Sequence, residues 1–128
     1  MGERVVDASV VLAVLLDQPS ARRAAPLLAG SLLGAVNLAE VVGRLSEAGM
    51  PEQEIRRALA SLDLLTVPFD PADAWAAGLL RRRTRSARLS LGDRACLALA
   101  LSRGLPALTT DRAWSRLGLG AAVRGIGA

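Results

Sequence analysis

The chain has 128 residues, 52% of them apolar, and its sixteen basic residues, all arginine, outnumber twelve acids for a net charge of +4. It holds no histidine, lysine or tyrosine and a single cysteine, Cys96, which removes Ser-His and Cys-His dyads, lysine Schiff bases, disulfide frameworks and thiolate metal sites. No apolar run approaches the ~20 residues of a membrane span, and Asp7 splits the first apolar segment where a secretory signal would need continuity, so the sequence reads as a single cytoplasmic domain over residues 1–128.

The elements alternate along the chain. Arg4 to Asp7 reads as a short strand, followed by a helix through Val10 and Leu12 to Leu16. Pro19 opens a second helix that ends near Gly30, and Leu32 to Val36 forms a buried strand. Asn37 starts a helix whose Leu38, Val41, Val42 and Leu45 follow a 3.6-residue period. Gly49 stops it, and Pro51 begins a helix with Ile55, Leu59 and Leu62 on one face. Leu64 to Val67 is a third strand. Asp70-Pro71 then opens a helix through Trp75 and Leu79 into an arginine cluster. Ser90 starts a long apolar helix closed by Gly104, Pro106 to Thr109 is a fourth strand, and Asp111 leads into a short last helix. Ala121 to Ile126 reads as a final edge strand. Strands alternating with helices of this length predict an α/β fold, a parallel sheet of four to five strands with helices on both faces. Ligands of such sheets bind beyond the carboxyl ends of the strands.

Four acids fall at or just beyond those ends. Asp7 and Asp111 close the first and fourth strands, Glu40 lies one helical turn past the second, and Asp93 sits one turn into the long helix. Each has a plain reading as a helix cap: Asn37-Leu-Ala-Glu40 and Ser90-Leu-Gly-Asp93 both match a capping box, and Asp7 and Asp111 suit N-caps. Together they say more. Two carboxylates ~4 Å apart repel by about 4 kcal/mol at an effective dielectric of about 20, and a helix N-terminus offsets only roughly 0.3–1 kcal/mol. Raised pKa values or a cation must supply the remainder. An all-oxygen donor set suits Mg²⁺ or Mn²⁺ and not zinc.

Val6-Asp7-Ala-Ser9, Asn37-Leu-Ala-Glu40, Leu89-Ser90-Leu-Gly-Asp93-Arg94 and Leu108-Thr109-Thr110-Asp111-Arg112-Ala-Trp114 resemble, in order and spacing, the motifs of PIN domains. The nearest likeness is to the VapC-type toxins of bacterial toxin–antitoxin pairs. The resemblance implies a Mg²⁺- or Mn²⁺-dependent endoribonuclease that hydrolyses RNA phosphodiester bonds with a metal-activated water. Asp7 and Asp93 would be direct ligands, Glu40 a ligand or the group that positions the attacking water, and Asp111 a ligand acting partly through water. Ser9, Asn37 and Thr109 are candidates to orient carboxylates or the scissile phosphate, with local capping as the competing account. The resemblance also implies a homodimer and a small cognate antitoxin that blocks the site through an amphipathic helix.

Arg81 to Arg88 places five arginines in eight positions ahead of Asp93. Arg85 and Arg88 could hold an RNA backbone, or the run could be a solvated helix end that complements the dipole. Arg112, next to Asp111, is a further phosphate contact or a surface ion pair. Trp75 reads as a packing residue, and Trp114 as packing or as a platform for one base. The apolar helices Val10–Leu16 and Val41–Leu45 carry more hydrophobic surface than one small core needs, which points to a partner. Two other functions remain open: a non-catalytic PIN-like module that binds RNA or protein, its acids serving as caps, and a DNA-directed metal nuclease.

Overall fold

In each of three adjacent strands, successive side chains enter opposite cores, and this decides the architecture. The computed structural model describes residues 3–118 and 123–126. Strands β1 (Val5–Val6), β2 (Leu32–Gly34), β3 (Leu65–Val67), β4 (Ala107–Thr109) and β5 (Val123–Gly125) form one sheet in the order β3-β2-β1-β4-β5. Every pairing is parallel, with Val5 opposite both Leu32 and Ala107, and Val6 opposite Leu108. Because side chains alternate across a strand, Val6, Leu33 and Leu108 enter one core and Val5, Leu32 and Ala107 the other.

Helices cover both faces. On the first lie α1 (Ala8–Leu15), α2 (Ala21–Leu28), α3 (Ala35–Glu47) and α4 (Glu52–Ala60); on the second lie α5 (Pro71–Arg83) and α6 (Leu91–Arg103). Short 3-10 turns follow at Arg85–Ala87 and Arg112–Leu117. The second of these occupies the place expected for a last helix. Asp70 caps α5 and Ser90 caps α6, each in a reciprocal capping box. Gly104 ends α6 with φ 64°, a left-handed turn that glycine adopts without strain. Among the described residues no helix is long and apolar enough to cross a membrane.

Three expectations need correction. The second strand stops at Gly34, and Ala35 and Val36 already belong to α3. Asn37 is therefore the third residue of that helix and cannot cap it; Gly34 is the N-cap. A continuous apolar run carries no signal of where extended chain turns helical. Second, Val10, Val11, Leu12, Val41 and Leu45 are all buried, so the core takes up most of the apolar surface of the early helices and leaves only Leu16 and Val42 of the large apolar residues exposed there. The unburied apolar side chains are mainly elsewhere, Trp75 and Leu79 on α5 and Leu91 and Leu101 on α6. Third, Trp75 is 73% and Leu79 70% exposed, whereas Ala77 and Leu80 face α6. A helix with apolar residues on several sides does not announce which stripe its neighbour will cover. Of the predicted final strand, Val123–Gly125 is formed and Ile126 joins the first core. Residues 121–122 lie outside the described residues, as do Met1 and Gly2 of the N-terminal segment.

The two tryptophans give opposite predictions. Trp114 is 1% exposed, so Trp114→Ala should lower stability in urea unfolding by about 3–5 kcal/mol. Trp75→Ala should change it by no more than about 0.5 kcal/mol. A large loss from the Trp75 substitution would contradict the outward placement of that face.

Candidate metal centre

The three central strands, β2, β1 and β4, deliver the site at their carboxyl ends. β1 runs directly into Asp7, the N-cap of α1. Its Oδ1 accepts from the Val10 backbone N–H at 3.2 Å and from the Ser9 hydroxyl at 2.5 Å, while Oδ2 accepts from the Thr109 hydroxyl at 2.7 Å. Both hydroxyls are themselves held. Ser9 Oγ accepts from the Thr110 N–H at 3.1 Å, and Thr109 Oγ1 from the Asp111 N–H at 3.0 Å. Ser9 and Thr109 thus touch Asp7 and tie the end of β1 to the end of β4. Asp7 is 3% exposed.

A second junction joins α3 to α6. The Asn37 side-chain amide donates to Glu40 Oε1 and to the Gly92 carbonyl, both at 3.0 Å. Gly92 is the second residue of α6, and its missing side chain leaves room for Glu40: a Cβ there would overlap the Glu40 carboxylate, with Oε2 at 2.8 Å and the other oxygen nearer still. Asp93 follows, half-buried, in its reciprocal box with Ser90: Oδ2 accepts from the Ser90 N–H at 3.0 Å, and its own N–H donates to Ser90 Oγ at 3.1 Å. Gly92 was not singled out in the sequence. The available signal was a glycine inside the first turn of an apolar helix, where it costs roughly 1 kcal/mol against alanine.

Asp111 stands apart. It is exposed, caps the Arg112–Leu117 turn by accepting from the Ala113 N–H at 2.9 Å, and reaches the Asp7 cluster only through its own N–H on Thr109. Trp114 is buried and offers no face for a base. Arg85, Arg88 and Arg112 are exposed, and among the described residues none lies within ion-pair distance of a carboxylate.

Burial pushes the Asp7 carboxyl up to about 6, against the opposing hydrogen bonds from Ser9, Thr109 and Val10, with the Asp93 charge adding to the rise. Glu40 is raised by burial, opposed by Asn37 and reinforced by Asp93. Cys96, one turn beyond Asp93 in α6, has its thiol raised by burial and further by the charges of Asp7, Asp93 and Glu40. Asp7, Glu40 and Asp93 therefore share one electrostatic neighbourhood. They do not form a closed cage: among the described residues no three carboxylates stand close enough to hold one ion between them, because each is pinned by its own cap or amide. Mg²⁺ does not require such a cage, since it keeps several waters and takes one or two carboxylates plus substrate phosphates. The donors are all oxygen, and the buried Asn37 Oδ1 has no partner. These residues fit a hard divalent ion.

The family model for the PIN domain matches residues 4–119. No curated protein is similar enough in sequence to count as a relative. Among solved structures, a toxin–antitoxin complex from Klebsiella pneumoniae superposes with a TM-score of 0.76 at 19% identity, over 94% of this chain and 95% of that one. The VapBC2 complex from Rickettsia felis, bound to a promoter DNA fragment, gives 0.73 at 15%, over 95% and 97%. VapBC-5 from Mycobacterium tuberculosis gives 0.59 at 28%, over 98% and 99%. The first two likenesses concern the fold alone.

The raised Asp7 carboxyl predicts a pH dependence of stability. Folding favours its neutral form, so its contribution is full below the ordinary value of 3.8 and is lost as pH rises through about 6. Across that window the loss amounts to about 3 kcal/mol. In EDTA, urea unfolding should show stability falling between those values, and Asp7→Asn should flatten most of the decline while raising stability at neutral pH. A wild-type profile flat across that window would show that Asp7 is not a buried, destabilised anion.

Proposed function

The chain belongs to the PIN-domain family, and we propose that it is a divalent-metal-dependent endoribonuclease, the toxin of a toxin–antitoxin pair acting in the cytoplasm. The observation that carries this reading is the buried Asp7 at the end of the central strand, with the Asp93 charge near enough to raise both Asp7 and Glu40. A carboxylate buried at such cost, with a second negative charge nearby, is better explained by a cation than by capping alone. The toxin assignment is supported by the solved toxin–antitoxin complexes that share the fold.

Asp7 and Asp93 are the proposed direct ligands of Mg²⁺ or Mn²⁺. Such an ion, when bound, supplies Lewis acidity at the phosphate and activation of the attacking water. The chain's own groups orient and hold. Ser9 and Thr109 keep both Asp7 oxygens in place, and Asn37 holds Glu40 at the mouth of α6. Glu40 serves as a further ligand or as the group that positions the water, and Asp111 acts from the rim, partly through water. Arg85, Arg88 and Arg112 are the proposed contacts to the RNA backbone. Hydrolysis adds water to phosphorus and breaks one bridging P–O bond, and the proton ends on the departing oxygen. No side-chain nucleophile is involved.

The antitoxin is proposed to lay an amphipathic helix into the cleft between α3 and α4, about 570 Å³, lined by Leu38, Val42, Ile55 and Leu59. A homodimer is part of the same proposal. One observation favours a second reading, a non-catalytic binding module. Asp93 and Asp111 each complete a helix or turn cap, which accounts for them without any ion.

Cleavage of a mixed RNA pool separates the two. The antitoxin-free chain should cut in Mg²⁺ or Mn²⁺ and not in EDTA, and Asp93→Asn, whose amide can still cap α6, should lose at least ~100-fold in rate. Mg²⁺ should also raise the melting temperature of the wild type more than that of the variant. No cleavage and no shift would leave the binding module standing.

A further inference from the structure

A site built from carboxylates repels the strand it is proposed to cut, and a cleft of opposite charge lies beside it. α5 ends in Arg81-Arg82-Arg83; the chain leaves the helix at Thr84, makes the Arg85–Ala87 turn, and reverses at Arg88. Thr84 is buried, with its hydroxyl donating to the Leu80 carbonyl at 2.8 Å, and N–H groups of Ala87 and Arg88 close the turn on Thr84 and Arg85. Arg88 has φ 52°, in the left-handed region, which costs a non-glycine residue roughly 1–2 kcal/mol. The outcome is a cleft of about 400 Å³ lined by Arg81, Thr84, Arg85, Arg88 and Leu89.

Three observations separate this cleft from a solvated helix end. The helix dipole acts within the last turn, so it accounts for Arg81 to Arg83 but not for Arg85 and Arg88 beyond the helix. Among the described residues, the ion pairs are Arg4 with Glu3 and Arg56 with Glu52, so none of the three cleft arginines is neutralised. Finally, the cleft adjoins the acids. Leu89 is followed by Ser90, which holds Asp93, and the Arg85–Ala87 turn packs on the Arg112–Leu117 turn behind Asp111.

We infer that this cleft binds a backbone phosphate of the nucleic-acid strand at a position away from the scissile bond. Planar guanidinium groups take phosphate oxygens two at a time, and three of them line this one cleft around a buried threonine. The inference rests on the nuclease reading and adds to it a second anchoring point. The substrate must extend past the cleaved bond toward the α5–α6 loop.

The test measures binding of a fluorescent single-stranded oligoribonucleotide in EDTA, across a salt series, so that cleavage plays no part. The variant Arg81→Gln/Arg85→Gln/Arg88→Gln is compared with Arg22→Gln/Arg23→Gln/Arg57→Gln, which removes equal charge from exposed positions on α2 and α4. Losing three single-strand contacts should flatten the slope of log K against log salt by about 2 and weaken binding at least ~tenfold at ~0.1 M salt. The control variant should keep the wild-type slope. So should Arg81→Lys/Arg85→Lys/Arg88→Lys, which also reports on folding. Inorganic phosphate should displace RNA from the wild type more effectively than from the glutamine variant. An unchanged slope in the cleft variant, or an equal change in the control, overturns the inference. Phosphate binding that needs the arginines while the RNA slope stays unchanged would make this a free-anion site and overturn it equally. Cleavage by the wild type in Mg²⁺, read separately, reports on the nuclease reading alone.

Discussion

One buried carboxylate sets the terms for the rest of the site. Val5 and Val6 must both be covered, one on each face of the sheet, so the residue that leaves β1 is enclosed by the same neighbours. That residue is Asp7. Removing an ionised carboxylate from water costs several kcal/mol unless donors replace the lost hydration. Val10, Ser9 and Thr109 supply three, and the two hydroxyls are oriented by backbone N–H groups of Thr110 and Asp111. The pairing of β1 with β4 and the orientation of the acid are therefore one interlocked arrangement. The donors do not fully compensate, because the carboxyl remains raised to about 6.

The second half of the site depends on a missing side chain. Gly92 lets Glu40 lie against the start of α6, and Asn37 clamps the contact with two hydrogen bonds from a single nitrogen. Its oxygen stays buried without a partner, a deficit of roughly 1–3 kcal/mol. Carboxyls raised by burial and an orphaned amide oxygen thus lie in one region of the fold, where each lowers stability.

Charge and apolar surface are segregated around this centre. The carboxylates gather at the strand ends, the arginines of the α5–α6 connection flank them, and of the exposed apolar side chains Leu91 lies beside this region while the two most exposed lie on α5. Trp75 and Leu79 occupy the outer side of α5, while Leu38 and Val42 line the α3–α4 cleft. A polyanion and an apolar partner can thus approach by different faces.

Much of this was legible from residue order. The alternation of elements, the parallel sheet, the caps at Asp7, Asp70 and Ser90 and the grouping of acids at strand ends all follow from local rules, in which a side chain acts on backbone within a few positions. The boundary between β2 and α3, the outward placement of Trp75 and the role of Gly92 did not, since each is settled by a neighbour distant in sequence. Asn37 illustrates the difference. Its spacing from Glu40 matches a capping box, yet its amide spans to Gly92, fifty-five residues away. Sequence alone determined which chemistry was possible, because a chain without histidine or lysine has only carboxylates, hydroxyls and arginines to offer. The tertiary structure decided that Asp7 is buried, that Asp93 is half-buried near it and that Glu40 and Asp111 are exposed, because desolvation and charge repulsion depend on distances that only packing sets.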